Sequence, residues 1–110
     1  MKSKKPKKVR IRITGRTFDY FGRETIEVKR GDKIEWTLTN EFPWGIVIKA
    51  PVSPFDWTVR MTGAKKTITA RVNASAAPGH YPYAVGAWNG KTLLFDDPEI
   101  ILRPPTGGRA

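Results

Sequence analysis

The chain reads as an all-β domain, a sandwich or small barrel of about seven short strands. Three observations predict this. Apolar and polar residues alternate with a period of two in several separate segments, as in strands with one face in a core and one in water. Ten glycines and nine prolines are scattered between those segments, which suits turns better than long helices. No helical period or internal repeat competes with that pattern. The 110 residues amount to one domain with a modest core.

The elements follow in order. Val9, Ile11 and Ile13 alternate with Arg10 and Arg12, a strand that ends before Gly15. Thr25 to Lys29 repeats the pattern, Arg30-Gly31-Asp32 turns the chain, and Ile34, Trp36 and Leu38 form the inward face of the next strand. After the Asn40 to Pro43 loop comes an apolar run, Trp44 to Ile48, with Pro43 extended and outside any central ladder. Ala50 to Thr58 holds two prolines and reads as an irregular crossover plugged by Phe55 and Trp57. Thr67 to Val72 alternates again, and Ala74, Ala76 and Ala77 suggest a brief helical turn stopped by Pro78-Gly79. His80 to Val85 is a strand interrupted by Pro82. Asn89-Gly90 is a tight-turn signal, and Glu99 to Arg103 is the last strand.

Charge is placed unevenly. The formal net charge is +10, yet residues 1 to 12 carry seven bases, Lys2, Lys4, Lys5, Lys7, Lys8, Arg10 and Arg12, and no acid. Residues 1–8 therefore read as a flexible basic arm, residues 9–104 as the folded domain and 105–110 as a short tail. The arm would attract nucleic acid, an anionic membrane surface or an acidic protein through charge alone. A solubilising terminus is the plain alternative. No run approaches the length of a membrane span. The basic start has no apolar segment behind it, which leans toward the cytoplasm if Met1 is the native start and otherwise leaves the compartment open. With no cysteine, disulfides and thiolate metal sites are excluded.

Two segments resemble the cupredoxins, the blue-copper Greek-key sandwiches. Val28 to Asn40 followed by Pro43 to Val47 looks like the family's glycine-aspartate turn, tryptophan-bearing strand and first copper-histidine region. Pro78 to Val85 is similar to its turn and tyrosine-rich strand leading to the copper cysteine. The resemblance implies a cupredoxin-like Greek-key β-sandwich over residues 9 to 104. Carried over by position, Trp44 stands at the first histidine ligand and Val85 at the cysteine. The loop after Val85 offers no histidine, and no methionine follows it. Blue copper needs two imidazoles and a thiolate, so composition rules out a native type of blue-copper site, and no cofactor is expected.

Other metal and catalytic signals are thin. His80 is the sole histidine, and Asp96-Asp97-Pro98-Glu99 lacks the spacing of a complete calcium loop. These acids read as turn or ion-pairing groups. Asp19 and Glu24 add carboxylates but no converging pair, and the chain carries no phosphate loop or serine elbow. A small hydrolase is the third-ranked reading, and the chain is expected not to be an enzyme. The leading expectation is a metal-free protein-interaction or structural module, with a protein partner or self-association. Phe42, Pro43, Trp44 and Trp88 are its candidate contact residues, placed by the resemblance in loops at one end of the sandwich, where they would either bind or fill the vacated metal end. The main alternative is a nucleic-acid-associated module using the seven bases of residues 1 to 12.

Overall fold

A computed structural model describes residues 5–104 of the chain. They form ten strands and no helix: β1 (Lys7–Thr14), β2 (Thr17–Asp19), β3 (Thr25–Val28), β4 (Lys33–Leu38), β5 (Trp44–Ile48), β6 (Val59–Thr62), β7 (Thr67–Arg71), β8 (Gly79–Trp88), β9 (Leu93–Asp96) and β10 (Glu99–Leu102). One sheet has the order β2-β1-β4-β7. The other has the order β3-β10-β8-β5-β6, with β9 also on β8. β1 with β4 and β3 with β10 are parallel pairs, and all others are antiparallel. The architecture is the expected β-sandwich with more strands than seven. β2, β6 and β9 are the additions; β2 and β6 bury almost nothing, so hydrophobic alternation could not mark them.

The alternation seen in the sequence becomes the core. Val9, Ile11 and Ile13 of β1, Ile34, Trp36 and Leu38 of β4, and Ile68 and Ala70 of β7 face inward from the first sheet. Ile26, Val28, Ile46, Ile48, Val85, Ile100 and Leu102 meet them from the second. Gly31 takes a φ of 83° in the β3–β4 turn, which glycine adopts without strain. The turn is closed by Asp32, whose Oδ2 accepts the Lys29 N–H at 2.9 Å. Phe55 is buried and Trp57 packs against the core, so the 50–58 crossover does hold its two plugs.

Four local expectations are corrected. Lys7 and Lys8, assigned to the arm, belong to β1 and pair with Ile34 and Glu35, because β4 offers a parallel partner that reaches beyond Val9. Ala74 and Ser75 form a turn, not helix, closed by Ala76 N–H to the Asn73 carbonyl at 3.2 Å. Pro82 does not interrupt β8. Its carbonyl accepts the Lys49 N–H at 2.9 Å, so its missing donor faces the same side, one position past the end of β5. β8 also runs on to Trp88, so residues 86 to 88 are strand and not loop.

Trp36 sits at the centre of the sandwich. Its ring lies edge-on to Tyr83 at 5.7 Å and Phe55 at 5.9 Å between centroids, and to Trp57 at 6.3 Å. Its Nε1–H donates to Tyr83 Oη at 3.1 Å, a buried bond that joins β4 of one sheet to β8 of the other. Burial pushes the Tyr83 phenol well above its ordinary value. Tyr20 is raised further, first by burial and then by the Asp96 carboxylate, although no hydrogen bond of ordinary geometry satisfies its hydroxyl.

Replacing Tyr83 with Phe keeps the ring and strands the buried Trp36 N–H. A loss of about 1–3 kcal/mol in denaturant unfolding is expected. Both phenols stay protonated in the folded chain at pH values where unfolded tyrosine ionises. Their contribution to stability is therefore complete below pH about 10 and declines as pH rises past it. The decline should be shallower in the Tyr83→Phe variant, measured as unfolding midpoint against pH.

Candidate apolar docking face and the vacated metal end

The outer side of the second sheet carries the most distinctive surface among the described residues. β5 pairs Gly45 with Met61 of β6 and with Gly86 of β8, and β8 pairs Gly86 with Phe95 of β9. One row across four strands therefore reads Met61, Gly45, Gly86, Phe95, with the two large side chains flanking a glycine floor. Both lean inward over it. A Cβ on Gly45 would lie 2.5 Å from Met61 Sδ, and one on Gly86 would lie 3.3 Å from the Phe95 ring. The next row is Val59, Val47 and Ala84, and on the other side Trp88 pairs with Leu93. Met61 is 69% exposed, Phe95 63% and Leu93 51%, with Val59, Val47 and Trp88 also exposed. A shallow cavity of about 160 Å³ opens between these residues, with Pro43 at its rim.

The four contact residues expected from sequence are not brought together as one patch. Trp44 and Trp88 lie on opposite faces of the sheet. Trp44 opens β5 and pairs with inward-facing Ala87, so its ring is 1% exposed and its Nε1–H donates to the Lys66 carbonyl at 3.2 Å. It is core, and both tryptophans are strand residues, where loops were expected. Phe42 packs partly buried against the core. Pro43 and Trp88 remain on the surface cavity, joined through the Trp88 N–H to the Pro43 carbonyl at 3.0 Å. Sequence reading missed Met61, Leu93 and Phe95. The available signal was the apolar residues flanking Gly90, but which face they present depends on register.

The two positions that the resemblance aligns with copper ligands are core. Val85, at the cysteine position, is fully buried on β8, and Trp44, at the histidine position, is buried on the neighbouring strand. These side chains offer no donor to copper, so the residues present do not fit the family's metal. His80 lies elsewhere and exposed, its Nδ1 2.7 Å from Glu99 Oε2. Among the described residues no group of three or more His, Cys, Asp or Glu is placed to hold a metal ion. The acids of 96 to 99 are engaged otherwise: Asp97 pairs with Lys49 at 2.6 Å and Glu99 with His80.

The basic residues are also divided. Lys2 and Lys4 lie outside the described residues. Lys8, Arg10 and Arg12 project from the outer face of the first sheet, where the Arg10 guanidinium sits 4.5 Å from the Phe21 ring centroid. Lys7 falls on the opposite side of β1, and with Lys5 it lines a recess between the two sheets.

Together these features define a cupredoxin-like fold. No family model matches the chain, and no curated protein matches it. Solved structures do. A Cu-containing nitrite reductase (NirK) from Thermus scotoductus SA-01 superposes with a TM-score of 0.61 at 16% identity, over 96% of this chain and 24% of that one. The chain thus spans about a quarter of that reductase. An oxidized amicyanin variant gives 0.55 at 14% identity, over 86% of this chain and 81% of that one. A Cu(I) amicyanin variant also gives 0.55 at 14%, over 87% and 82%. Identities this low establish the shared fold alone. Among the described residues, no helix is long and apolar enough to cross a membrane.

The two tryptophans should separate cleanly on mutation. Trp44→Ala leaves a core cavity and should cost about 3–5 kcal/mol in denaturant unfolding. Trp88→Ala, on the outer face, should change stability by less than about 1 kcal/mol.

Proposed function

We propose that the chain is a metal-free protein-interaction module, not an enzyme, that docks through the outer face of β6, β5, β8 and β9. The observation that carries this reading is the row Met61, Gly45, Gly86, Phe95 with Trp88, Leu93, Val47 and Val59 around it. Contiguous exposed apolar surface is costly in water and marks interaction sites. The two glycines let Met61 and Phe95 lie flat across the sheet, so that an adaptable thioether and a rigid ring form the exposed contact surface.

A second copy of the chain is the occupant that this face suits. The apolar rows themselves carry no charge; at their border Lys49 pairs with Asp97, Lys65 pairs with Glu41 at 2.9 Å, and Arg60 of β6 stacks on the Trp57 ring. The basic excess lies on β1 and the segment before it, in the other sheet. Two such faces would meet about a two-fold axis through their uncharged rows, each presenting Met61 and Phe95 to the other. The contact would be modest in area and the dimer weak.

Sedimentation velocity over a range of protein concentrations tests this. A concentration-dependent dimer is expected, shifting to monomer in Phe95→Asp and in Leu93→Asp, both exposed positions where folding should persist. Wild type that stays monomeric throughout, or a dimer that both variants leave intact, would overturn the assignment.

A further inference from the structure

A second surface, on the far side of the molecule, has a different chemistry. Where β1 enters the sandwich, three recesses of about 360, 540 and 220 Å³ adjoin through walls common to two of them at a time: Lys5, Lys7, Arg23 and Glu27. They make one trough between the start of β1, the exposed edge of β3 and the end of β10. On the inner side of β1 its basic lining is Lys5, Lys7, Arg23, Lys29 and Arg103 against the acids Glu27 and Asp32, and the largest recess reaches round to Lys8 and Glu35 on the outer side.

The charges are not interchangeable. Arg103 grips Glu27 with a two-pronged fork, Nε to Oε1 at 3.1 Å and Nη2 to Oε2 at 2.7 Å, and this bond holds the Glu27 carboxyl below its ordinary range. That pair is neutral. Arg23 is fixed by donating from Nη1 to the Lys8 carbonyl at 3.2 Å, which leaves the rest of its guanidinium for a ligand. Asp32 is buried and accepts the Lys29 backbone N–H. Outside that pair, Lys5, Lys7, Lys29 and Arg23 outnumber the remaining acid on the inner side, Asp32, and reach in from three different segments. In sequence, Lys2 and Lys4 immediately precede this entrance.

We propose that this trough binds the phosphodiester backbone of a nucleic-acid duplex without reading its bases. Cations that come from three separate segments along adjoining open recesses match a run of successive phosphates. The lining contains no aromatic side chain on which an unpaired base would stack, which favours duplex over single strand. Contacts confined to phosphate carry affinity and salt dependence but no sequence preference. This assignment is independent of the apolar face, which lies on the opposite edge of the second sheet.

The test uses the full chain and a short mixed-sequence DNA duplex, followed by fluorescence anisotropy between about 50 and 200 mM salt. Log affinity should fall linearly with log salt, with a slope of about −0.9 for each phosphate neutralised. Lys7→Glu with Lys29→Glu should weaken binding by about tenfold or more and make the slope shallower by about 2. Both side chains are at the surface, and an unchanged thermal midpoint would confirm that the variant folds. The comparison set is Lys2→Ser with Lys4→Ser, anionic lipid vesicles and polyglutamate. No duplex binding by wild type at the lower salt would overturn the proposal. So would unchanged affinity in the trough variant, with all loss confined to the Lys2/Lys4 variant. Vesicle binding that depends on Lys7 and Lys29, or competition by polyglutamate equal to DNA per charge, would reassign the trough to a membrane or an acidic protein.

Discussion

The buried bond from Trp36 to Tyr83 is the contact on which the rest of the sandwich is arranged. It crosses between the sheets and satisfies the indole N–H with a phenol that burial keeps neutral. A tryptophan at the centre of a small domain fills much of the space between two sheets, but its N–H must find an acceptor there. Tyr83 provides one from the strand that runs through the middle of the second sheet. Phe55 and Trp57, carried in by an irregular crossover, close the remaining sides of the ring. The crossover is held in turn by Ser53, whose Oγ donates to the Trp57 carbonyl and accepts the Phe55 N–H. Core and crossover are thus one packing unit.

β8 extends that unit to the surface. Its first half pairs with β10 and its second with β9, in one unbroken register: Pro82 opposite Glu99, Val85 opposite Asp96. The two returning strands are one arm interrupted at Asp97-Pro98. A side-chain period of two then decides everything on β8. Tyr81, Tyr83, Val85 and Ala87 point into the core, while Ala84, Gly86 and Trp88 point out. Val85, which the sequence resemblance aligns with a copper cysteine, belongs to the inward set. The same strand therefore supplies both core and apolar outer face.

The relation between the two proposed surfaces follows from this layout. Bases gather at the β1 entrance because the chain starts there with lysines and because β3, β4 and β10 end or turn beside it. The apolar row lies at the other edge of the second sheet, where β5, β6 and the β8–β9 hairpin present small residues between large ones. A duplex and a second copy would thus occupy separate sides, and neither surface needs the fold to change. Loops and edges carry such differences while the core persists.

Much of the fold was legible in the residues alone. Alternation on β1, β4 and β7, the Gly31-Asp32 turn and the Asn89-Gly90 hairpin mark themselves, because burial on one face and positive φ in turns demand particular side chains locally. The loss of copper chemistry is also a matter of composition: without cysteine or a second histidine no arrangement supplies the ligands. Position relative to other strands is different in kind. Nothing near Trp44 says that its ring points inward while Trp88 points outward, since that depends on a register shared with residues more than forty positions away. Nor does the run of lysines reveal that Lys7 turns toward Lys29 and Arg103 while Lys8, Arg10 and Arg12 turn away. Residue types thus determined a β-sandwich without the thiolate and paired imidazoles of blue copper, and with a basic start. Long-range strand pairing alone decided which aromatics became core and which apolar and basic residues became surfaces, because face and neighbour are set only when strands distant in sequence align.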